Sequence, residues 1–172
     1  MTEIGEPAPG FRLPDTEGRE HSLPEGVPAV LIFTCNHCPY ALAWHERIVE
    51  AARDYADRDV RFLAINPNDG ERYPADSFEA MKERVDREQW PLPYLHDSSQ
   101  HVAREYGART TPDLFVVDAA GRIAYRGAAD SDHADPSQNA AWLRTALDAL
   151  LDGRAPDPAE TEPVGCSIKW LA

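Results

Sequence analysis

Two short apolar runs, AVLIFT at 29–34 and VRFLAIN at 60–66, constrain the fold of this chain more than any other feature. Both are rich in β-branched and aromatic residues and show no polar alternation, which is the pattern of strands covered on both faces. Between them, from Pro39 onward, apolar residues recur every three or four positions: Ala41, Trp44, Ile48, Ala51 or Ala52, and Tyr55. That period marks one face of a helix. Strand, helix and strand in about 40 residues make a βαβ unit, so the two core strands are expected to be parallel with a right-handed crossover.

The rest of the chain extends this unit. FRLPDTEGREHSL reads as two short strands around a DTEG turn. Asp76 and Ser77 precede a helix, with Glu79 placed as in a capping box and Phe78, Met81 and Val85 as its apolar stripe. WPLPYLHD offers a short strand between prolines. Ser98 is expected to cap a brief helix carrying Val102 and Tyr106 and ended by Gly107. DLFVVDAAGRIAYRG reads as a hairpin with strands at 113–118 and 122–126 and its turn at Ala120–Gly121. A last helix is expected from Asp135, with Pro136 at its first position, through Leu143, Leu147, Leu150 and Leu151. A length of 172 residues suits one core-bearing domain. We place it at 1–155, followed by a tail at 156–172 whose apolar Ile168 and Trp170 should pack on the domain. The order of elements fits an α/β protein with a mixed central sheet and helices on both faces.

Composition excludes several function classes. A net charge of −13, with Lys82 and Lys169 as the only lysines, repels phosphate backbones and argues against nucleic acid as a partner. No apolar run approaches a membrane-spanning length. MTEIGEPAPGF has neither the basic nor the apolar region of an export signal, so a cytoplasmic location is expected. In that compartment thiols are kept reduced, and a C-x-x-C pair is more often catalytic or metal-binding than structural.

Such a pair is present in TCNHCP, where the first buried strand hands over to the helix. A metal site, a redox couple and two buried core cysteines are the three readings. For a redox couple the position matters. Unpaired N–H groups and the positive end of a helix dipole should face Cys35 and favour its thiolate, the reactive species. Cys38 is expected within the first turn, close enough to close a small disulfide ring. His37, when protonated, would add positive charge beside Cys35, stabilise the reduced form and make the disulfide a stronger oxidant.

These residues carry a resemblance. GEPAPGFRLPDTEGREHSL resembles the N-terminal hairpin of the redoxin branch of thioredoxin-fold proteins, the alkyl-hydroperoxide-reductase/thiol-specific-antioxidant-like branch. LIFTCNHCPY resembles that branch's active-site strand and helix start, and ARTTPDLFVVDAAGRIAYRG its cis-proline loop and last hairpin. GCSIKW resembles the end of a subgroup carrying C-N-H-C-P. The resemblance implies a thioredoxin-like three-layer α/β/α sandwich with an extra N-terminal β-hairpin and a C-terminal extension. It implies a cis Thr111–Pro112 bond that lays its loop against the cysteine pair and positions substrate.

The activity implied is that of a thiol–disulfide oxidoreductase. Cys35 attacks a substrate disulfide, Cys38 resolves the mixed disulfide, and no cofactor is needed beyond the redox-active disulfide itself. Implied partners are a protein or small-molecule disulfide and a cellular thiol reductant, with the chain a monomer or homodimer. Two departures stand out. Ala29 occupies the place of the buried aspartate of thioredoxins, six residues before the first cysteine, which leaves the proton acceptor for Cys38 unassigned. The P-x-x-x-T-x-x-C of peroxiredoxins is incomplete: counting back from Cys38 puts Cys35 at the threonine position, and counting back from Cys35 puts Ile32 there. A thiol-dependent peroxidase remains the alternative. Copper or zinc binding ranks below it, because the spacing of His37, His45 and the cysteines is not that of a tetrahedral site. Cys166 either packs as a small apolar residue or pairs with Cys35 or Cys38. Tyr40 is placed to border the site. Asn66, at the carboxyl end of a core strand, either lines a cleft or serves a turn.

Overall fold

A computed structural model describes residues 2–172. Its centre is the βαβ unit. Strand β3 (Ala29–Phe33) pairs in parallel with β4 (Arg61–Asn66), and helix α1 (Pro39–Tyr55) connects them. The hairpin β1 (Arg12–Pro14) and β2 (Glu20–Ser22) precede this unit. After it come α2 (Phe78–Glu88), β5 (Tyr94–His96), α3 (His101–Tyr106), β6 (Thr110–Thr111), β7 (Asp113–Val117), β8 (Ile123–Gly127), α4 (Ala141–Leu151) and β9 (Cys166–Ser167). The central sheet has the order β5-β4-β3-β7-β8; β5 is parallel to β4, and β7 and β8 are antiparallel to their neighbours. This is the thioredoxin-like sandwich.

Strand β3 is buried at every position because each of its faces meets a separate core. Val30 and Ile32 join Trp44, Ile48, Met81, Leu143 and Leu147 beneath α1, α2 and α4. Leu31 and Phe33 join Leu13, Val102, Tyr106 and Ile168 beneath the N-terminal hairpin, α3 and the chain's end. The period of two in a strand thus distributes one apolar run between two layers.

Two helix starts differ from the sequence expectation. Asp135 does cap a turn, accepting from Ser137 N at 3.0 Å, but that turn is a single 3-10 turn over Pro136–Gln138. Asn139 and Ala140 then take left-handed conformations, and α4 begins only at Ala141. The break is imposed by buried Asp130, whose Oδ2 accepts from Ala140 N at 2.9 Å. The start of α3 belongs to Asp97 rather than Ser98: the Asp97 carboxylate accepts from Val102 N at 3.4 Å and Ala103 N at 2.9 Å. In both places a buried carboxylate from outside the helix overrides local capping signals.

Asp130 also holds the first core together. Its oxygens accept from Trp44 Nε1 at 2.8 Å and from Arg47 Nη1 at 2.9 Å, with Arg47 itself buried. Removing one partner of such a pair leaves an uncompensated buried charge, at a cost of roughly 3–5 kcal/mol. Asp130→Ala is therefore expected to lower the urea-unfolding free energy by about that amount. A loss below about 1 kcal/mol would show that solvent, rather than Asp130, satisfies Arg47.

Candidate active site

The loop between β3 and α1 carries the cysteine pair. Cys38 is the N-cap of α1, in extended conformation, and Pro39 is the first helical residue. Cys35 lies three residues earlier, so the helix terminus serves Cys38 rather than Cys35. Both sulfur-bearing residues are buried, at 1 % and 0 % exposure.

Opposite them stands the loop of β6. The Thr111–Pro112 bond is cis. Thr111 Oγ1 lies 3.2 Å from the Cys35 sulfur, and the Thr111 carbonyl accepts from the Cys38 thiol at 3.0 Å. The chain's end closes the third side. β9 pairs antiparallel with β6, Cys166 opposite Thr111, and Cys166 packs against the cysteine cluster. Tyr40 borders the same cluster, with its ring 4.4 Å from that of His133.

The two thiols ionise as a unit. The hydrogen bond with Cys38 is the largest cause raising the Cys35 thiol, with burial second and the Asp76 carboxylate adding to both. The same bond, read from the other side, is the first cause that lowers Cys38 to about 4, helped by the amides of Ala41 and Cys166. These directions run opposite to the sequence expectation of a Cys35 thiolate. The easily lost proton leaves Cys38, because the α1 terminus reaches that sulfur and Cys35 faces a buried anion. With its proton in place, Cys38 donates to the Thr111 carbonyl; without it, the helix amides stabilise the charge. Burial and the neighbouring Cys38 raise Cys166 to about 11.

His37 is positioned differently from the expectation as well. Its Nδ1 lies 2.5 Å from Asp76 Oδ2, at an angle short of a hydrogen bond's, and its ring stacks on Tyr73. Any charge on the imidazole is matched by Asp76 rather than aimed at Cys35. What favours a Cys35 thiolate is the Thr111 hydroxyl first and then the His37 backbone amide, not the His37 ring. Donor atoms of Cys35, His37 and Asp76 lie within 4.8 Å of one another. Asp76, however, already accepts from Asn36 N at 2.7 Å, Asn66 Nδ2 at 3.2 Å and Asn68 Nδ2 at 3.0 Å. Hydrogen bonds therefore organise this cluster.

Asn66 lines no cleft. It is fully buried, donating to Asp76 and to Tyr94 Oη and accepting from Asn68 N. The residues that sequence reasoning missed are its partners. Asp76 precedes the expected cap Ser77, yet it folds inward as the anion beneath the active-site loop. Arg84, buried on α2, donates to Cys35 O at 3.2 Å and Asn36 Oδ1 at 3.0 Å, and Tyr94 Oη donates to Asn36 Oδ1 at 2.8 Å. The sequence signal for Arg84 was its place three residues after Met81, on the apolar stripe of its helix.

The family follows from comparison with known proteins. The model of the AhpC/TSA family matches residues 4–126. The chain belongs to that family. A solved structure of an uncharacterized conserved protein from Geobacillus kaustophilus is 38% identical, with a TM-score of 0.92 covering 99% of this chain and 94% of that one. The thiol-disulfide oxidoreductase ResA of Geobacillus thermodenitrificans (strain NG80-2) is 28% identical over 125 residues, 70% of this chain. The chain spans 66% of the length of that curated relative. The pneumococcal exposed lipoprotein thioredoxin (Etrx1) of Streptococcus pneumoniae strain TIGR4 shares the fold at 22% identity. Its TM-score is 0.61, over 77% of this chain and 98% of that one. No helix among the described residues is long and apolar enough to cross a membrane.

Two predictions concern the walls of this AhpC/TSA-family site. Asp113, next to Pro112, is fully buried, and burial raises its carboxyl to about 6 despite the amide of Arg109 and the charges of Arg126 and Arg109. A carboxyl raised from 3.8 in this way contributes stability that is full below about pH 4 and lost as pH rises through about 6. The difference amounts to roughly 3 kcal/mol. Subtracting the pH profile of Asp113→Asn from that of the wild type, by urea unfolding, should show that step; parallel profiles would refute it. Separately, a Cβ on Gly165 would overlap the Thr111 carbonyl oxygen. Gly165→Ala is expected to undock β9, raising the hydrogen-exchange rate of Ile168 N, which is bonded to Arg109 O, by about tenfold or more. Unchanged protection would mean the loop yields instead.

Proposed function

We propose that this AhpC/TSA-family protein is a thiol–disulfide oxidoreductase whose redox centre is the Cys35–Cys38 dithiol. The observation that carries the reading is the placement of the pair. Two buried sulfurs, one at the N-cap of α1, both meet Thr111 of a cis-proline loop, Cys35 at its hydroxyl and Cys38 at its carbonyl. Cys35 attacks a substrate disulfide while the Cys38 thiolate takes its proton. Cys38 passes that proton to the departing thiolate and attacks Cys35. One substrate disulfide becomes a thiol and a thiolate that takes a proton from solvent, and the protein's thiol and thiolate become one disulfide. A cellular thiol reductant then returns the pair to the dithiol.

In this reading Thr111 and Pro112 form the wall against which substrate is positioned, and His37 acts through Asp76 on the loop. The dithiol needs no further cofactor. C-N-H-C-P and the terminal G-C-S-I-K-W would mark one subgroup of the family, and this reading assigns the chemistry to a cytoplasm that keeps thiols reduced.

Stabilising the Cys38 thiolate stabilises the reduced form. The pair is therefore expected to be less reducing than a thioredoxin, whose potential is about −270 mV. A glutathione redox titration read by tryptophan fluorescence, with disulfide mapping, is the test. A Cys35–Cys38 couple above that potential is expected; absence of that disulfide at every poise would refute the reading. The reduced protein should also show one thiolate per chain at neutral pH by ultraviolet absorbance, lost in Cys38→Ser. Rapid hydroperoxide consumption, with a sulfenic acid on Cys38, would favour a peroxidase instead.

A further inference from the structure

The cluster contains three sulfurs, and only one of them reaches the surface. Cys35 and Cys38 are 1 % and 0 % exposed, whereas Cys166 is half-buried. Cys166 contacts Cys38 directly, through both its side chain and its backbone amide. The contact is built in several ways. β9 pairs with β6, and Gly165 permits a backbone approach to Thr111 that no side chain would tolerate. Lys169 N donates to Asn68 Oδ1 at 2.8 Å, and Leu171 N donates to Gln100 Oε1 at 2.8 Å. Thr111 touches all three cysteines: Cys35 with its hydroxyl, Cys38 with its carbonyl and Cys166 as its strand partner.

Two consequences follow. With the tail docked, Cys166 is the most exposed of the three sulfur-bearing residues, so it is the one a dissolved thiol or disulfide meets first. The chain's own residues also pair beside Thr111, so an extended protein segment would have to displace β9 to take that strand position. We propose that Cys166 is a third redox-active residue, the port through which low-molecular-weight thiols and disulfides exchange with the buried pair by way of an internal Cys38–Cys166 disulfide. This rests on the reading of Cys35–Cys38 as the redox couple.

In the oxidised protein the Cys166 sulfur attacks that of Cys38. The Cys166–Cys38 bond forms, the Cys38–Cys35 bond breaks, and the electron pair leaves on Cys35, which takes up the proton Cys166 gives up. Nothing is oxidised or reduced in this step. Thr111 Oγ1, 3.2 Å from the Cys35 sulfur, is placed to donate to it as charge develops. A small thiol then attacks Cys166, and Cys38 departs as the thiolate its site stabilises. A second small thiol attacks the mixed disulfide on Cys166. Two small thiols have become one disulfide, and the protein disulfide has become two thiols.

Cys35→Ser, treated with oxidised glutathione, tests the port. Loss of both remaining free-thiol labels, with a cross-linked Cys38–Cys166 peptide in mass spectrometry, is expected. Separate glutathione adducts or persistent free thiols would overturn the proposal. The wild type, partially oxidised and acid-quenched, should yield the same cross-link beside Cys35–Cys38, and its absence would likewise overturn it. Cys166→Ser should react with oxidised glutathione at least about tenfold more slowly than the wild type; an equal rate counts against the port. The parent reading fails separately, and visibly so, if Cys166→Ser forms no Cys35–Cys38 disulfide even with diamide.

Discussion

One buried carboxylate, Asp76, ties the active-site loop to the rest of the molecule. It accepts from the Asn36 amide of the loop, from Asn66 at the end of β4, and from Asn68 in the segment that follows. Asn68 in turn accepts from Lys169 of the tail. Loop, central sheet and chain end thus share a single anion. An ionised group with no exposure is tolerated only when donors surround it, and here the donors come from segments that would otherwise be independent. The same negative charge raises the Cys35 thiol. What holds the loop also decides which sulfur keeps the proton.

The second constraint is geometric. β3 must end where the cysteines begin, and the alternation of its side chains between two cores fixes its register. A slip of one residue would exchange Val30 and Ile32 with Leu31 and Phe33 and turn the loop away from Thr111. The apolar layers therefore set sulfur positions that the hydrogen bonds then refine.

The fold was legible in the sequence because it rests on periodicity. The βαβ unit, both hairpins and the capped α2 follow from apolar spacing and turn residues, and Ser77 caps α2 by accepting from Ala80 N at 3.1 Å. The misread helix starts share one cause. Asp130 acts on Ala140 ten positions away and Asp97 on Ala103 six away, beyond the reach of a capping motif. The site was legible in its residue types and less so in its charges. Spacing places Cys35 near a helix start, but only the chain path makes Cys38 the N-cap. Asp76, 41 positions from Cys35, left no mark beyond a carboxylate beside a capping serine. A buried polar network assembles from distant singletons, and period analysis does not see singletons.

The balance of charge at the pair is a contest between two fixed features. The terminus of α1 favours an anion by roughly 0.3–2 kcal/mol, depending on burial. Asp76 disfavours one, and its effect is strongest at the nearer sulfur. Because the helix serves Cys38 and the carboxylate faces Cys35, the two features do not cancel; they separate the thiols. One becomes a poised thiolate and the other a proton store, within a site too dry for water to blur the difference. The asymmetry comes from backbone placement, so it exists before any substrate arrives. A pair built this way favours its thiolate through backbone amides at the helix start rather than through a lysine beside it, which suits a chain whose lysines number only two.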